Sequence, residues 1–153
     1  MLKSIILGLI LSLPFAAVEL NIQKENEVQH QLDPESLKCL AENIFYEAGN
    51  QSVEGKLAVA HVTWNRTQDE RFPNSICSVV HQKNQFSWVT NTAYQKQHSK
   101  EGWRWKEARI VARNFHFFPD PTSRALFFHE ISIRPNWPYR QVARIQNHVF
   151  YEF

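Results

Sequence analysis

Glu47 is the residue of this chain best placed to do chemistry, because it puts a carboxyl group on the apolar face of a helix. In Cys39-Leu40-Ala41-Glu42-Asn43-Ile44-Phe45-Tyr46-Glu47-Ala48-Gly49, Leu40 and Ile44 lie seven and three residues before Glu47. All three therefore project from one side of a helix. Gly49 follows as the residue just past the helix end. A carboxyl on the packing face, at the negative end of the helix dipole, holds its proton more tightly than a solvated one. Such a group can serve as a general acid near neutral pH. The competing reading of the same spacing is a helix-end glutamate that simply reaches water.

The elements that must position Glu47 are marked by their end signals. Asp33-Pro34-Glu35 supplies an N-cap, a first-turn proline and a first-turn acid, so a helix is expected from there to about Ala48. Ser52-Val53-Glu54 opens a second helix that runs to about Arg66 and is apolar on most sides, as a central helix would be. The short link Gly49-Asn50-Gln51 makes the two helices neighbours, with Glu47 at their joint. Further on, Ile76 to His81 reads as a short helix and Gln85-Phe86-Ser87-Trp88 as a short extended segment. A third long helix is expected from about Gly102 to Phe117, stopped by Pro119-Asp120-Pro121. Ala125 to His129, Val142 to Ile145 and His148 to Tyr151 read as strands, the last two joined by a turn at Gln146-Asn147. Helices followed by a small antiparallel sheet make an α+β domain.

The start of the chain reads as an export leader. Met1-Leu2-Lys3 is a short positive start, Ile5 to Leu13 is apolar, and Pro14-Phe15-Ala16-Ala17 offers small residues for cleavage. Residues 1–17 are therefore expected to be a signal peptide, or an anchor if it is retained, and the protein to be periplasmic or extracellular. Membrane contact is expected through this leader alone. Residues 18–32 are polar and read as a flexible spacer, and residues 33–153 have the size of one ordinary domain, expected to be monomeric. Residues 96–153 carry ten Lys and Arg against five Asp and Glu, whereas the first 95 carry seven against ten. The basic half favours an anionic partner, although no run is dense enough for nucleic acid. In an exported chain the pair Cys39 and Cys77 implies one disulfide tying the first helix to the loop before Val79; in a reducing cytosol they would be two buried thiols.

From Cys39 to Trp88 the chain resembles the SleB-type cell wall hydrolases, which include spore-cortex-lytic enzymes and related bacterial and phage proteins. The resemblance runs through Leu40-Ala41, Ile44-Phe45-Tyr46-Glu47-Ala48, Glu54 to Ala60, Val62, Asn65-Arg66, Phe72-Pro73, Ile76-Cys77, Val79-Val80 and Gln85 to Trp88. A second block looks similar at Phe128-His129, Pro135-Asn136-Trp137 and Ile145 to Tyr151. The resemblance implies cleavage of peptidoglycan glycan strands, a fold like that of lysozymes and lytic transglycosylases, and a catalytic role for Glu47. Two departures stand out. Relatives usually carry Arg-Gly-Glu after Glu-Ala where this chain has Gly49-Asn50-Gln51, and commonly a glycine where Gln146 stands.

Cleaving a glycosidic bond requires a proton donor and a way to satisfy the developing oxocarbenium ion. Glu47 is the expected donor. A two-carboxylate hydrolase would need a second acid, for which Glu54 is nearest in sequence, although Glu54 equally suits the start of its helix. A lytic transglycosylase needs one glutamate, because the sugar's own hydroxyl closes an anhydro ring; this route is the expected one. Gln85, Ser87 and Trp88 are expected to line the groove, Trp88 stacking on a sugar and Gln85 binding an N-acetyl group. His129, His148 and Tyr151 are expected on the opposite wall, with structural histidines as the alternative. No cofactor or metal is called for: a zinc amidase would also cut peptidoglycan, but the chain has no His-Glu-x-x-His, and its histidines lack ligand spacing. A wall-binding module without catalysis also fits the aromatic side chains and the basic half.

Overall fold

A computed structural model of the chain describes residues 32–98, 100 and 102–153. The leader and all of the spacer except Leu32 lie outside the described residues. Helix α1 spans Pro34–Ala48, α2 Val53–Thr67, α3 Ile76–Val80, α4 Thr92–Gln97 and α5 Gly102–Asn114. A 3-10 turn covers Ser87–Val89 and another, Phe115–Phe117, extends α5. Strands β1 (Phe127–Glu130), β2 (Arg140–Ile145) and β3 (His148–Glu152) form an antiparallel sheet in the order β1-β3-β2. The fold is α+β, as expected.

Local chemistry sets the helix starts. The Asp33 carboxylate accepts from the backbone N–H of Glu35 at 2.9 Å and of Ser36 at 3.0 Å, and the Ser52 hydroxyl accepts from Gly55 N–H at 3.2 Å. Each bond satisfies a donor that the first helical turn leaves without a partner. Helix α2 is buried continuously from Gly55 to Thr63, so the expectation of a central helix holds. Its outer neighbours are α1 and α5, with Leu40, Ile44, Val59, Ala60, Ala108 and Ala112 in one core. Fully buried Leu, Ile and Val side chains each contribute roughly 1.5–3 kcal/mol. A smaller core of Ala58, Val62, Ala125, Ile145 and Phe150 joins α2 to the sheet.

Two local expectations need correction, and one helix has no counterpart in the sequence reading. Gln85 to Trp88 is not an extended segment: Phe86 alone has strand-like angles before the chain winds into the 3-10 turn. The segment is not part of the sheet, and the Gln95 amide donates to the carbonyls of Trp88 and Val89 at 2.9 and 3.2 Å, holding the turn closed. Cys77 sits in α3 rather than in a loop, and the Cys39–Cys77 disulfide joins α1 to α3. Helix α4 carries no buried residue, so it leaves no apolar period to read; Asn91 starts it by accepting from Tyr94 N–H at 2.9 Å.

The joint after Glu47 is clasped from two sides. Lys56 is fully buried; its ammonium donates to the Gln51 carbonyl and pairs with the Glu107 carboxylate of α5 at 2.9 Å. From the other side the β2–β3 turn closes on the link: Gln146 Oε1 accepts from Ser52 N–H at 2.6 Å, and Gln51 Oε1 from Asn147 N–H at 3.4 Å. A side chain at position 55 would meet Gln51 Cβ at 2.9 Å, so this close approach needs Gly55. Gln146 has φ 47°, in the left-handed region, where glycine is at ease. Gln51 and Gln146, where the two departures from the resemblance stand, therefore belong to one clasp.

Gln146 accepts a backbone cost in return for a hydrogen bond. Substituting alanine keeps the cost and loses the bond, so Gln146→Ala should be about 1 kcal/mol less stable than wild type. Gln146→Gly loses the bond but relieves the backbone and should fall between them. Urea denaturation of the three proteins checks the order.

Candidate active site

Glu47 lies in the last turn of α1 and lines a cleft of about 1170 Å³. Pockets for small ligands run to about 1,000 Å³, so this groove has room for an extended chain. One wall comes from Tyr46, Asn50, Gln51, residues 81–90 and Tyr94. The other comes from β1 with Trp137, Tyr139, Asn147 and His148.

Burial raises the Glu47 carboxyl from 4.5 to about 7, and the charge of Arg66 pulls it partly back. The carboxyl is thus protonated below neutrality and still able to give its proton away near pH 7. Arg66 belongs to the resemblance through Asn65-Arg66 without an expected site role, and it lies in the cleft wall. Burial lowers its guanidinium to about 10 and the charge of Glu47 pulls it back up, leaving it cationic at neutral pH. Its Nε donates to the Leu126 carbonyl at 2.7 Å, and the rings of Phe72, Phe86 and Phe127 lie 5.2, 5.4 and 5.9 Å from its Cζ. Three ring faces hold a cation that little water reaches. Its Nη1 has no hydrogen-bond partner among the described residues.

A chain of polar contacts fixes the wall beside Glu47. Asn43 is fully buried; its amide donates to Thr63 Oγ1 at 3.1 Å, and its oxygen accepts from Trp88 Nε1 at 3.2 Å. Trp88 is then stacked by Tyr46 with ring centres 4.5 Å apart. Trp88 lines the cleft as expected; it is only 5% exposed, and Tyr46 covers one of its faces. Tyr46 is the more open ring. Tyr94 donates to the Tyr46 carbonyl at 3.4 Å, and both burial and the charge of Glu47 raise its phenol pKa.

The remaining expected residues divide. Gln85, Ser87, His129 and His148 line the cleft. Tyr151 does not: it sits behind His129, bonded to the imidazole Nε2 through its hydroxyl at 2.9 Å. Glu54 is also outside, exposed in the first turn of α2, so it is no second acid facing Glu47. The other carboxylate of the lining is Glu130, exposed at the end of β1, which sequence spacing gave no reason to select. Burial keeps His148 below its ordinary pKa and so neutral. Among the described residues no three His, Cys, Asp or Glu side chains gather as a metal site would require.

The sequence profile of the family described as Cell Wall Hydrolase matches residues 50–151, starting three residues after Glu47. The spore cortex-lytic enzyme of Bacillus subtilis (strain 168) is 29% identical over 119 residues, 76% of this chain and 37% of that protein. The chain therefore spans little more than a third of that relative's length. The catalytic domain of the germination-specific lytic transglycosylase SleB from Bacillus anthracis superposes with TM-score 0.67 and 21% identity, covering 80% of this chain and 98% of that one. The catalytic domain of the Bacillus cereus SleB protein gives TM-score 0.65 and 23% identity over 80% and 94% of the two chains. These likenesses show a common, lysozyme-like fold.

The raised pKa of Glu47 carries a stability consequence with a definite sign. Unfolded, the carboxyl ionises near 4.5; folded, near 7. Stability from this group is therefore complete at low pH and falls as pH rises from 4.5 through 7, by about 3 kcal/mol. Glu47→Gln removes that loss: the variant should match wild type in denaturant melts at pH 4 and exceed it at pH 8. Arg66→Met should move Glu47 titration to higher pH, read as an alkaline shift of the falling limb of activity, while Arg66→Lys should move it less.

Proposed function

Since the chain belongs to the cell wall hydrolase family, we propose that it cleaves the glycan strands of peptidoglycan as a lytic transglycosylase, with Glu47 as its single acid and base. The observation that carries this reading is one carboxyl, raised to about 7, lining a cleft of about 1170 Å³. The printed names of the relatives, a cortex-lytic enzyme and a lytic transglycosylase, support the same substrate and chemistry.

In the forward step protonated Glu47 gives its proton to the glycosidic oxygen as the bond to the anomeric carbon breaks. The carboxylate that remains faces the charge of Arg66, which limits the cost of leaving it ionised in a dry site. A hydroxyl of the same sugar then bonds to the anomeric carbon and loses its proton to Glu47. The ring closes without water, and the acid is restored. Gln85, Ser87, His129 and His148 serve as substrate contacts along the two walls. Tyr151 acts by orienting His129. The Cys39–Cys77 bridge supports an oxidising compartment outside the cytoplasm, where this substrate lies.

One observation favours a second reading. Glu130 lines the same cleft, so a hydrolase could use it to activate water while Glu47 donates.

Mass spectrometry of fragments released from purified peptidoglycan separates the two. Wild type should release muropeptides lighter by one water than hydrolytic products. Glu47→Gln should reduce release by at least about a hundredfold, with folding and wall binding retained. Glu130→Gln should leave the anhydro products in place. Hydrated ends alone, lost on Glu130→Gln, would establish the hydrolase instead.

A further inference from the structure

Helix α5 has a face that the cleft does not use. Its inner side, Ala108, Val111 and Ala112, is buried. On the opposite side Trp103 and Ile110, seven residues apart, are 63% and 62% exposed, and Phe117 continues the stripe at 62%. Phe118 beside it is 50% exposed. Single exposed apolar side chains are ordinary, but a stripe of large ones marks a contact surface. Arg104, Lys106, Arg109 and Arg113 are exposed around it. Glu107 is the one acid of Gly102–Asn114, and it is paired with buried Lys56 at 2.9 Å. Four of the ten Lys and Arg in residues 96–153 thus lie on this helix, which locates much of the basic excess seen in the sequence.

We propose that this face of α5 docks the domain on an anionic lipid bilayer. Trp103, Ile110 and Phe117 enter the headgroup boundary, and the surrounding cations meet lipid phosphates. Charge and apolarity together select this occupant. A second copy of the chain would bring like cations together. A soluble anionic polymer would meet the cations but leave the stripe in water. No helix among the described residues is long and apolar enough to cross a membrane, so the contact is with the surface. No residue of α5 lines the cleft, and docking leaves Glu47 accessible to substrate.

The test is sedimentation of the full chain with vesicles of phosphatidylglycerol and phosphatidylethanolamine, and with neutral phosphatidylcholine vesicles. Two variants accompany wild type: Ile110→Ser with Phe117→Ser, and Lys106→Gln with Arg109→Gln and Arg113→Gln. Residues 1–31 are common to all three proteins, so differences report the α5 face. Wild type should prefer the anionic vesicles and lose binding as salt rises. Each variant should bind them at least about tenfold more weakly, with melting and cleavage of soluble glycan fragments unchanged. Equal binding by wild type and both variants, or no preference for anionic lipid, overturns the proposal. So does finding that these residues govern self-association or retention on insoluble peptidoglycan and not lipid binding.

Discussion

The structure turns on keeping one carboxyl out of water beside one buried cation. Removing a carboxylate from solvent is expensive, and a lone one would stay protonated far above neutrality. Arg66 brings the balance back to about 7, where the group can both give and take a proton. Arg66 in turn needs its own support: three phenylalanine rings and the Leu126 carbonyl, drawn from the loop after α2, the segment before the 3-10 turn, and β1. Much of the fold around the cleft can be understood as scaffolding for that pair.

The same logic explains why so many polar groups are buried near the joint. Asn43, Thr63 and Lys56 are all fully buried, and each spans elements that must not shift relative to Glu47. Asn43 ties α1 to α2 and to Trp88, and Lys56 ties the link to α5. Buried polar contacts of this kind add little net stability but tolerate few alternative arrangements. They trade strength for a fixed geometry around the acid.

Most of the helical frame was legible in the sequence, because Asp33, Ser52 and the apolar spacing of Leu40, Ile44 and Glu47 are local signals. The strands and the Gln146-Asn147 turn were legible for the same reason. Helix α4 was not, since a surface helix without a buried face has no period to detect. The site was legible in part. Glu47 carried an anomaly of type and position, whereas Arg66 looked like an ordinary helix-end cation until three distant rings closed around it. Trp88 reaches the cleft as its position suggested, whereas the Tyr151 hydroxyl is spent on His129. Glu54 was near in sequence but faces solvent, and Glu130, far in sequence, is the carboxylate that reaches the groove. Spacing along a chain cannot report such meetings.

The strand order has a consequence for when the domain becomes competent. β3 is the last strand of the sheet in sequence, yet it lies between β1 and β2. Neither of those strands has a sheet partner until β3 arrives, so the paired sheet behind the far wall of the cleft cannot assemble in a chain that stops short of β3. The acid is present early, on the first helix; its groove is completed last. The cleft gains its second wall only when β3 folds back through the middle of the sheet.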